Sequence, residues 1–253
     1  MPRLTLLAAA LACLAVPASA QTLIEQSLEH RFQLDFHVPD AALAKLLPAG
    51  WQANVATGGA AKDANLRLVF IDRIHVTGAD GKPAGKGTNR VVWLAIPVKE
   101  SASGTVGQMV IGGLTEDAQD APGPFGTYIA ASTHKMQRSL TLDSGPVLAT
   151  ENWDFAAGSG EHFELHASYE RGPAARTTGE AKFFSGSDPK SFQIVKQEQG
   201  LDIMRNVTVQ VPDHVKEFSY KAGGGRYAAL FDGTEKVLSW DLIPWHNRSM
   251  YRP

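Results

Sequence analysis

Apolar and polar residues alternate without interruption from residue 31 to residue 38, and this two-residue period predicts a β-strand. The apolar positions are Phe32, Leu34, Phe36 and Val38. The polar positions are Arg31, Gln33, Asp35 and His37. A strand with this pattern is expected to be half-buried, with the apolar side facing a core.

The segment after this strand predicts a short helix. Asp40 is a suitable N-cap, and leucines recur at helical spacing over residues 41–47 before Pro48 ends the run. Most of the remaining chain predicts strands, because β-branched and aromatic residues form short runs between turn residues. These strands are expected at residues 66–71, 90–98, 108–114, 147–155, 162–169, 192–196, 201–211 and 237–243. The fold class is therefore mainly β: an antiparallel barrel, cone or sandwich with few short helices.

Residues 91–98 differ from the other predicted strands because they are apolar on both faces. This composition is typical of a strand that is covered on both sides or that lines the interior of a closed barrel. Pro97 lacks a backbone N–H, so we expect it to mark a bulge or the end of that strand.

The first 20 residues predict a cleaved secretory signal peptide. Arg3 gives a basic start, residues 4–16 form an apolar segment too short to cross a bilayer, and Ala18-Ser19-Ala20 is a small-x-small cleavage site. Cleavage would also remove Cys13, the only cysteine. The mature protein is then a single domain over residues 21–253, periplasmic or secreted, without disulfides or thiolate metal sites.

Charge and hydropathy restrict the partners. The chain has 24 Lys and Arg against 26 Asp and Glu, and the basic residues are scattered, which argues against a phosphate-tracking surface for nucleic acid. No later apolar run is long enough for a membrane span. The remaining partner class is a small molecule, with self-association left open, and nothing in the sequence indicates a cofactor.

One group of residues has the composition of a metal site. His162, Glu164 and His166 alternate along a predicted strand and so share one face. However, the two histidines would lie about 13 Å apart along a strand, whereas bonds from zinc to histidine nitrogen are about 2 Å long. We therefore predict a solvated polar face here and no metal site, with Phe163, Leu165, Ala167 and Tyr169 pointing inward.

The order of features resembles the acetoacetate decarboxylase family. Residues 31–36, followed by residues 39–50 with their Leu-Pro-x-Gly exit, resemble that family's opening strand and helix. Residues 66–72 and 90–98 resemble its next strands, residues 126–135 its catalytic lysine segment, and residues 183–196 a later strand pair. The resemblance implies a closed, mostly antiparallel β-cone around a ligand cavity.

The resemblance also implies a set of site residues. The family uses a Pro-Lys-Lys motif whose first lysine forms an imine with a keto substrate. This chain has Thr133-His134-Lys135 instead, and Trp93 stands in the strand that carries the family's active-site glutamate. Depending on the register, Lys135 is the nucleophile with His134 as a titratable neighbour, or His134 occupies the nucleophile's place. Arg31 corresponds to the family's carboxylate-binding arginine.

Three functions follow from these residues. The first function is the binding of a small organic acid or apolar metabolite in a cavity lined by Arg31, Trp93, His134 and Lys135. This binding is either the whole function or the first step of a chemical transformation. In the catalytic version, Lys135 forms an imine as in a decarboxylase or lyase. The second is a non-catalytic periplasmic carrier or sensor. The third is a structural envelope protein that associates through sheet edges, which a cavity too small for any ligand would indicate.

Overall fold

A computed structural model describes residues 21–123 and 125–253, and the predicted signal peptide lies outside this described part. The described chain is mainly strand, with one short α-helix and one turn of 3-10 helix at Gly225–Tyr227. The elements are β1 (Thr22–His37), α1 (Asp40–Ala44), β2 (Trp51–Ala53), β3 (Leu66–Gly78), β4 (Asn89–Glu100), β5 (Val106–Thr115), β6 (Tyr128–Ala130), β7 (Thr133–Thr141), β8 (Leu148–Ala156), β9 (His162–Glu170), β10 (Ala175–Ser185), β11 (Phe192–Asn206), β12 (Val215–Gly223) and β13 (Lys236–Arg252).

Seven strands form a closed barrel. They follow the order β4-β3-β1-β13-β11-β10-β5, and β5 also pairs with β4, which closes the ring. Every pairing in the ring is antiparallel except that of β5 with β10. The short strands β2 and β6 extend β4 and β5. This closed, mostly antiparallel β architecture confirms the predicted fold class.

A second sheet, with the order β12-β9-β8-β7, packs on the outside of the barrel. The alternation in β9 sets its orientation, because Phe163, Leu165, Ala167 and Tyr169 are all buried in the main core, as predicted. They meet the apolar side of β1, including Phe32, which packs against Tyr169 with ring centroids 6.0 Å apart. The largest apolar core therefore lies between the two sheets and outside the barrel.

The polar side of β1 lines the barrel interior. Arg31, Gln33 and Asp35 are only 8%, 7% and 3% exposed. The prediction of a half-buried strand was therefore wrong: both faces of β1 are buried. The physical reason is closure of the barrel, which encloses the face that an open sheet would leave in water.

Two consecutive glycines allow β5 to approach β4 closely. Gly112 and Gly113 have φ angles of +132° and +144°, which L side chains rarely adopt. A Cβ atom on Gly113 would lie 1.9 Å from the carbonyl oxygen of Val92. Closure of the barrel at this seam thus requires glycine.

Several predicted boundaries differ from the structure. The helix is shorter than expected and ends at Ala44, and residues 192–206 form one continuous strand. Pro97 does not end β4, which continues to Glu100, and the register shift lies between Leu94 and Ala95. In the described residues, no helix is both long enough and apolar enough to cross a membrane.

Candidate functional site

The barrel encloses a small central cavity with aromatic and basic walls. Trp93 of β4 and Phe183 of β10 form one side, with ring centroids 5.6 Å apart. Phe125 and Tyr128, from the segment between β5 and β7, form another side. The cavity volume is about 20 Å³, which is about the room needed for one water molecule.

Two arginines contribute the charged wall of this cavity. Arg31 of β1 and Arg248 of β13 both line it, and Gln197 of β11 lies beside them. Their positions follow from strand pairing, because Arg248 is in register with Ser27 of β1 and with Gln197 of β11. The closed barrel therefore brings together residues that are more than 200 positions apart in the sequence.

Arg31 and Arg248 belong to a buried network of five charged residues, Glu25, Glu29, Arg31, Arg73 and Arg248, which we call the arginine cluster. The Nε atom of Arg31 donates to Glu29 at 2.7 Å. An Nη atom of Arg248 donates to Glu25 at 2.7 Å and lies 3.2 Å from Glu29. Arg73 lies 2.5 Å from Glu25 and 3.6 Å from Glu29.

The arginine cluster carries an excess of positive charge. Three guanidiniums face two carboxylates, so the net charge is +1 when all five groups are ionised. Burial alone would raise the pKa of Glu29, but Arg248, Arg31 and Arg73 hold it well below its usual value. Glu29 is therefore ionised at neutral pH, and one positive charge of the cluster is not balanced by these two carboxylates.

His246 adds an uncharged group beside the cluster. Burial lowers the pKa of His246 well below its usual value, and the positive charge of Arg31 lowers it further. The imidazole is therefore neutral at pH 7. Its Nδ1 atom is 2.7 Å from the side-chain oxygen of Gln199, an arrangement in which Nδ1 carries the proton. Its Nε2 atom is buried and has no hydrogen-bond partner among residues 21–123 and 125–253.

Tyr128 places a hydroxyl group at the same cavity. Burial raises the pKa of Tyr128 well above its ordinary value, so the hydroxyl keeps its proton. Its oxygen is buried and, among the described residues, makes no hydrogen bond. The cavity therefore combines two guanidiniums, an unpaired hydroxyl donor and an aromatic wall, which together suit a small anion with an apolar body.

Two of the four residues predicted for the site, Arg31 and Trp93, lie at this cavity. The other two do not. His134 and Lys135 are both exposed on β7, an edge strand of the outer sheet. The expectation that this pair forms part of the cavity wall was therefore wrong.

The strand geometry explains where His134 and Lys135 point. Lys135 is in register with Asp154 on the outer face of the sheet, where it lines a shallow groove that includes Glu164 and Lys221. His134 points to the opposite face, where its ring lies 6.5 Å from that of Phe155. The two side chains cannot meet at one site, because successive residues of a strand face opposite sides.

Sequence reasoning missed three charged residues of the site, Glu29, Arg73 and Arg248. It also missed two uncharged residues, Tyr128 and His246. One signal was present, since Glu29 and Arg31 are the residues before Gln33 and Asp35 in a single alternating polar row.

The predicted metal-like trio on β9 is a solvated face, where Glu164 pairs with Lys221 at 3.0 Å and His166 contacts Asn152 at 2.7 Å.

Comparison with known proteins gives similarity of structure only. No protein-family model matches the chain, and no curated protein matches it in sequence. An acetoacetate decarboxylase-like enzyme from Sphingomonas wittichii RW1 is similar in structure, with a TM-score of 0.52, 13% identity and 92% of each chain covered.

The enduracididine biosynthesis enzyme MppR is also similar in structure. Its complex with pyruvate aligns with a TM-score of 0.51 and 11% identity, covering 94% of this chain and 91% of MppR. Its complex with the condensation product of pyruvate and imidazole 4-carboxaldehyde gives a TM-score of 0.51 and 10% identity, covering 92% and 88%. At such low identity, the similarity establishes a shared fold.

Proposed function

We propose that this chain, which has the acetoacetate decarboxylase-like fold, binds a small organic acid inside its barrel, with the carboxylate held by Arg31 and Arg248. The observation that carries the proposal is the net positive charge of the arginine cluster at the wall of the central cavity. A carboxylate would neutralise this charge and accept hydrogen bonds from guanidinium groups, whose planar geometry suits two-point binding.

The aromatic wall restricts the remainder of the ligand. Trp93, Phe125 and Phe183 line the cavity together with the arginines, so the group attached to the carboxylate is short and apolar, apart from one acceptor facing Tyr128. A 2-oxo acid of three or four carbons has this form. Because the cavity volume is about 20 Å³, at least one aromatic side chain must change its rotamer when such a ligand enters.

Binding without a covalent step agrees best with the position of the lysines. Among the described residues that line the central cavity there is no lysine, and Lys135 is exposed on the outer sheet. An imine between a bound keto acid and Lys135 would require the ligand to leave the arginine cluster. We therefore propose a carrier or sensor in place of a Schiff-base decarboxylase or lyase.

We further propose that the protein acts in the periplasm or outside the cell, on the basis of the predicted signal peptide. Expression of the full chain in a bacterial host, followed by intact-mass measurement of the periplasmic fraction, tests this. The expected mature protein begins at Gln21. Full-length protein confined to the cytoplasm would contradict the proposal.

One observation favours a second function. The volume of the central cavity is that of a packed core with a small void, as expected of a structural envelope protein without a ligand. In that function the arginine cluster would only hold β1, β3 and β13 together.

A titration with pyruvate separates the two functions. Trp93 lines the cavity, so binding is expected to change tryptophan fluorescence, and the change should be lost in Trp93→Phe, while calorimetry gives the affinity. Charged hydrogen bonds contribute about 1.5–3 kcal/mol, so Arg31→Gln and Arg248→Gln should each weaken binding roughly 10- to 100-fold.

Two further variants control for folding and for charge. Arg176→Gln removes an exposed arginine of β10, with 71% of its side chain accessible, and should leave the affinity unchanged. Arg31→Lys keeps the buried charge but loses the two-point geometry, so it should fold and bind with intermediate affinity. Absence of pyruvate binding to the folded wild-type protein, and to variants with a smaller residue at Phe125, would favour the structural function.

A further inference from the structure

A second cavity lies at the other end of the barrel. It is bounded by Asp35 of β1, Arg67 of β3, Gln108 of β5 and the segment between β2 and β3, which contributes Asn54 and three alanines. Its volume is about 180 Å³, whereas that of the central cavity is about 20 Å³. This space, which we call the Asp35 cavity, is large enough for a small molecule without rearrangement of side chains.

The charged network beside the Asp35 cavity has the opposite sign to that of the arginine cluster. Asp35 and Arg67 line the cavity, whereas Asp241 belongs to the network but does not line the cavity. Arg67 donates two hydrogen bonds to Asp35, at 2.8 and 3.2 Å. The amide of Gln33 lies 3.4 Å from Asp35 and 3.0 Å from Asp241, so it bridges the two carboxylates. Two aspartates against one arginine give a net charge of −1 when all three groups are ionised.

The same cavity contains an acceptor without a donor. The side-chain oxygen of Gln108 is buried and, within the described part of the chain, receives no hydrogen bond. A buried acceptor without a partner costs about 1–3 kcal/mol. The cavity wall thus presents the Asp35 carboxylate, which already accepts hydrogen bonds from Arg67, and an unpaired amide oxygen, which a ligand that donates hydrogen bonds would satisfy.

We infer that the Asp35 cavity is a second ligand site, one that binds a small primary ammonium compound between Asp35 and Gln108. An ammonium group supplies three donors and a positive charge that would balance the network of Asp35, Asp241 and Arg67 when all three are ionised. The alanines at residues 56, 61 and 64 leave room for a short alkyl chain. The site is independent of carboxylate binding at the arginine cluster, because its residues do not include any member of that cluster.

Protonation of Asp241 gives the site a pH dependence. Burial, together with the charge of Asp35, raises the pKa of Asp241 to about 7. The groups that act on this carboxyl are Asp35 and Gln33 of β1, Arg67 of β3, and Ser239 of its own strand. Below pH 7 Asp241 becomes neutral and the negative charge is lost, so affinity for a cation should rise from pH 6 to pH 8.

The test is a titration of the full mature protein with methylammonium chloride, followed by backbone amide NMR shifts of residues around Ala61 and Gln108. Methylammonium has two heavy atoms, and a ceiling of about 1.5 kcal/mol for each limits the dissociation constant to roughly 5–10 mM. Potassium chloride at equal ionic strength controls for screening, and tetramethylammonium for a cation without N–H donors. We expect saturable shifts with methylammonium alone.

Variants assign the shifts to the Asp35 cavity. Asp35→Asn should weaken methylammonium binding about tenfold, but it also removes a partner of Arg67. Two milder variants therefore accompany it: Ala61→Leu fills the cavity, and Gln108→Leu removes the unpaired acceptor. Both should abolish saturable shifts, whereas Gln137→Leu on the exposed outer sheet should not. Asp241→Asn should remove the increase in affinity between pH 6 and pH 8.

The outcome is separable from that for the central cavity. Arg31→Gln should keep methylammonium binding, and Ala61→Leu should keep any binding of pyruvate. The inference is overturned if methylammonium gives no saturable shifts in the wild-type protein at pH 8, if acetate binds there instead, or if Ala61→Leu and Gln108→Leu bind methylammonium like the wild type.

Discussion

The imidazole of His30 lies 2.6 Å from the carboxylate of Glu151, and this contact joins the barrel to the outer sheet. His30 belongs to β1 and Glu151 to β8, and the Glu151 side chain is completely buried. The carboxylate also accepts hydrogen bonds from Tyr169 at 2.7 Å and from Trp153 at 3.1 Å. Glu151 therefore fixes the two layers in one relative position.

Replacement of Glu151 should destabilise the protein strongly. Glu151→Gln removes the buried carboxylate that lies 2.6 Å from His30 and 3.3 Å from the Arg138 guanidinium, and among the described residues Arg138 then keeps only its contact with Asp72 at 3.5 Å. Loss of one member of a buried ion pair costs about 3–5 kcal/mol, and we expect the free energy of unfolding in urea to fall by about 3 kcal/mol.

The control is Glu164→Gln on the exposed face of β9. Its partner Lys221 is 70% exposed and Glu164 is 42% exposed, so this change should cost less than about 1 kcal/mol. Equal losses for the two variants would show that Glu151 does not connect the layers.

Asp241 should make the stability of the barrel fall between pH 4 and pH 7. Its pKa in the folded protein is about 7, whereas an unfolded aspartate titrates near pH 3.9. The folded state holds this proton more tightly, so the stabilisation is complete below about pH 4 and is lost as the pH rises through 7. Urea unfolding of the wild type and of Asp241→Asn at several pH values measures the effect.

The difference between these two proteins isolates Asp241 from all other titrating groups. Asp241→Asn cannot lose a proton, so its stability relative to the wild type should increase from pH 4 to pH 7 and remain constant above pH 8. A constant difference across this range would mean that Asp241 is ionised throughout.

Much of the fold could be predicted because it follows from local patterns. The alternation in β9 correctly identified the core-facing residues from Phe163 to Tyr169, and the two apolar faces of β4 correctly indicated a strand that is covered on both sides. These predictions depend only on which side chains avoid water, and that information is present in each strand separately.

The site could be predicted only in part, because a polar face has the same alternation whether it meets water or the interior of a barrel. Arg31 was expected at the cavity and lines it, whereas Gln33 and Asp35 in the same row were predicted only as the polar side of a half-buried strand. The expectation that His134 and Lys135 line the cavity was wrong for a related reason. Membership of the outer sheet depends on pairing with β8, and no local feature of Lys135 distinguishes one sheet from the other.

The exposed position of Lys135 predicts that reductive trapping will fail. Treatment of the protein with pyruvate and borohydride should give no mass adduct at Lys135, because the amine lies on the outer face of the sheet, away from the arginine cluster. Intact-mass and peptide mass spectrometry provide the measurement, and Lys221→Ala on the same face serves as a control for nonspecific modification.

A stoichiometric adduct at Lys135, lost in Lys135→Ala and retained in Lys221→Ala, would restore the hypothesis of an imine-forming enzyme. In that case Lys135→Ala should also lower pyruvate turnover. If pyruvate binding is unchanged in Lys135→Ala, the carrier or sensor function is supported.

Gly113 should tolerate no side chain, because closure of the barrel depends on it. Alanine at this position would combine a φ of +144° with a Cβ atom 1.9 Å from the Val92 carbonyl oxygen, and the neighbouring backbone of β4 cannot move without opening the seam. We expect Gly113→Ala to lower the free energy of unfolding by more than about 3 kcal/mol or to prevent accumulation of soluble protein.

Gly58→Ala is the matched control, since its added Cβ meets no atom within 4 Å, and its stability should remain within about 0.5 kcal/mol of the wild type. Wild-type stability in Gly113→Ala would mean that β4 and β5 do not form the seam that closes the barrel.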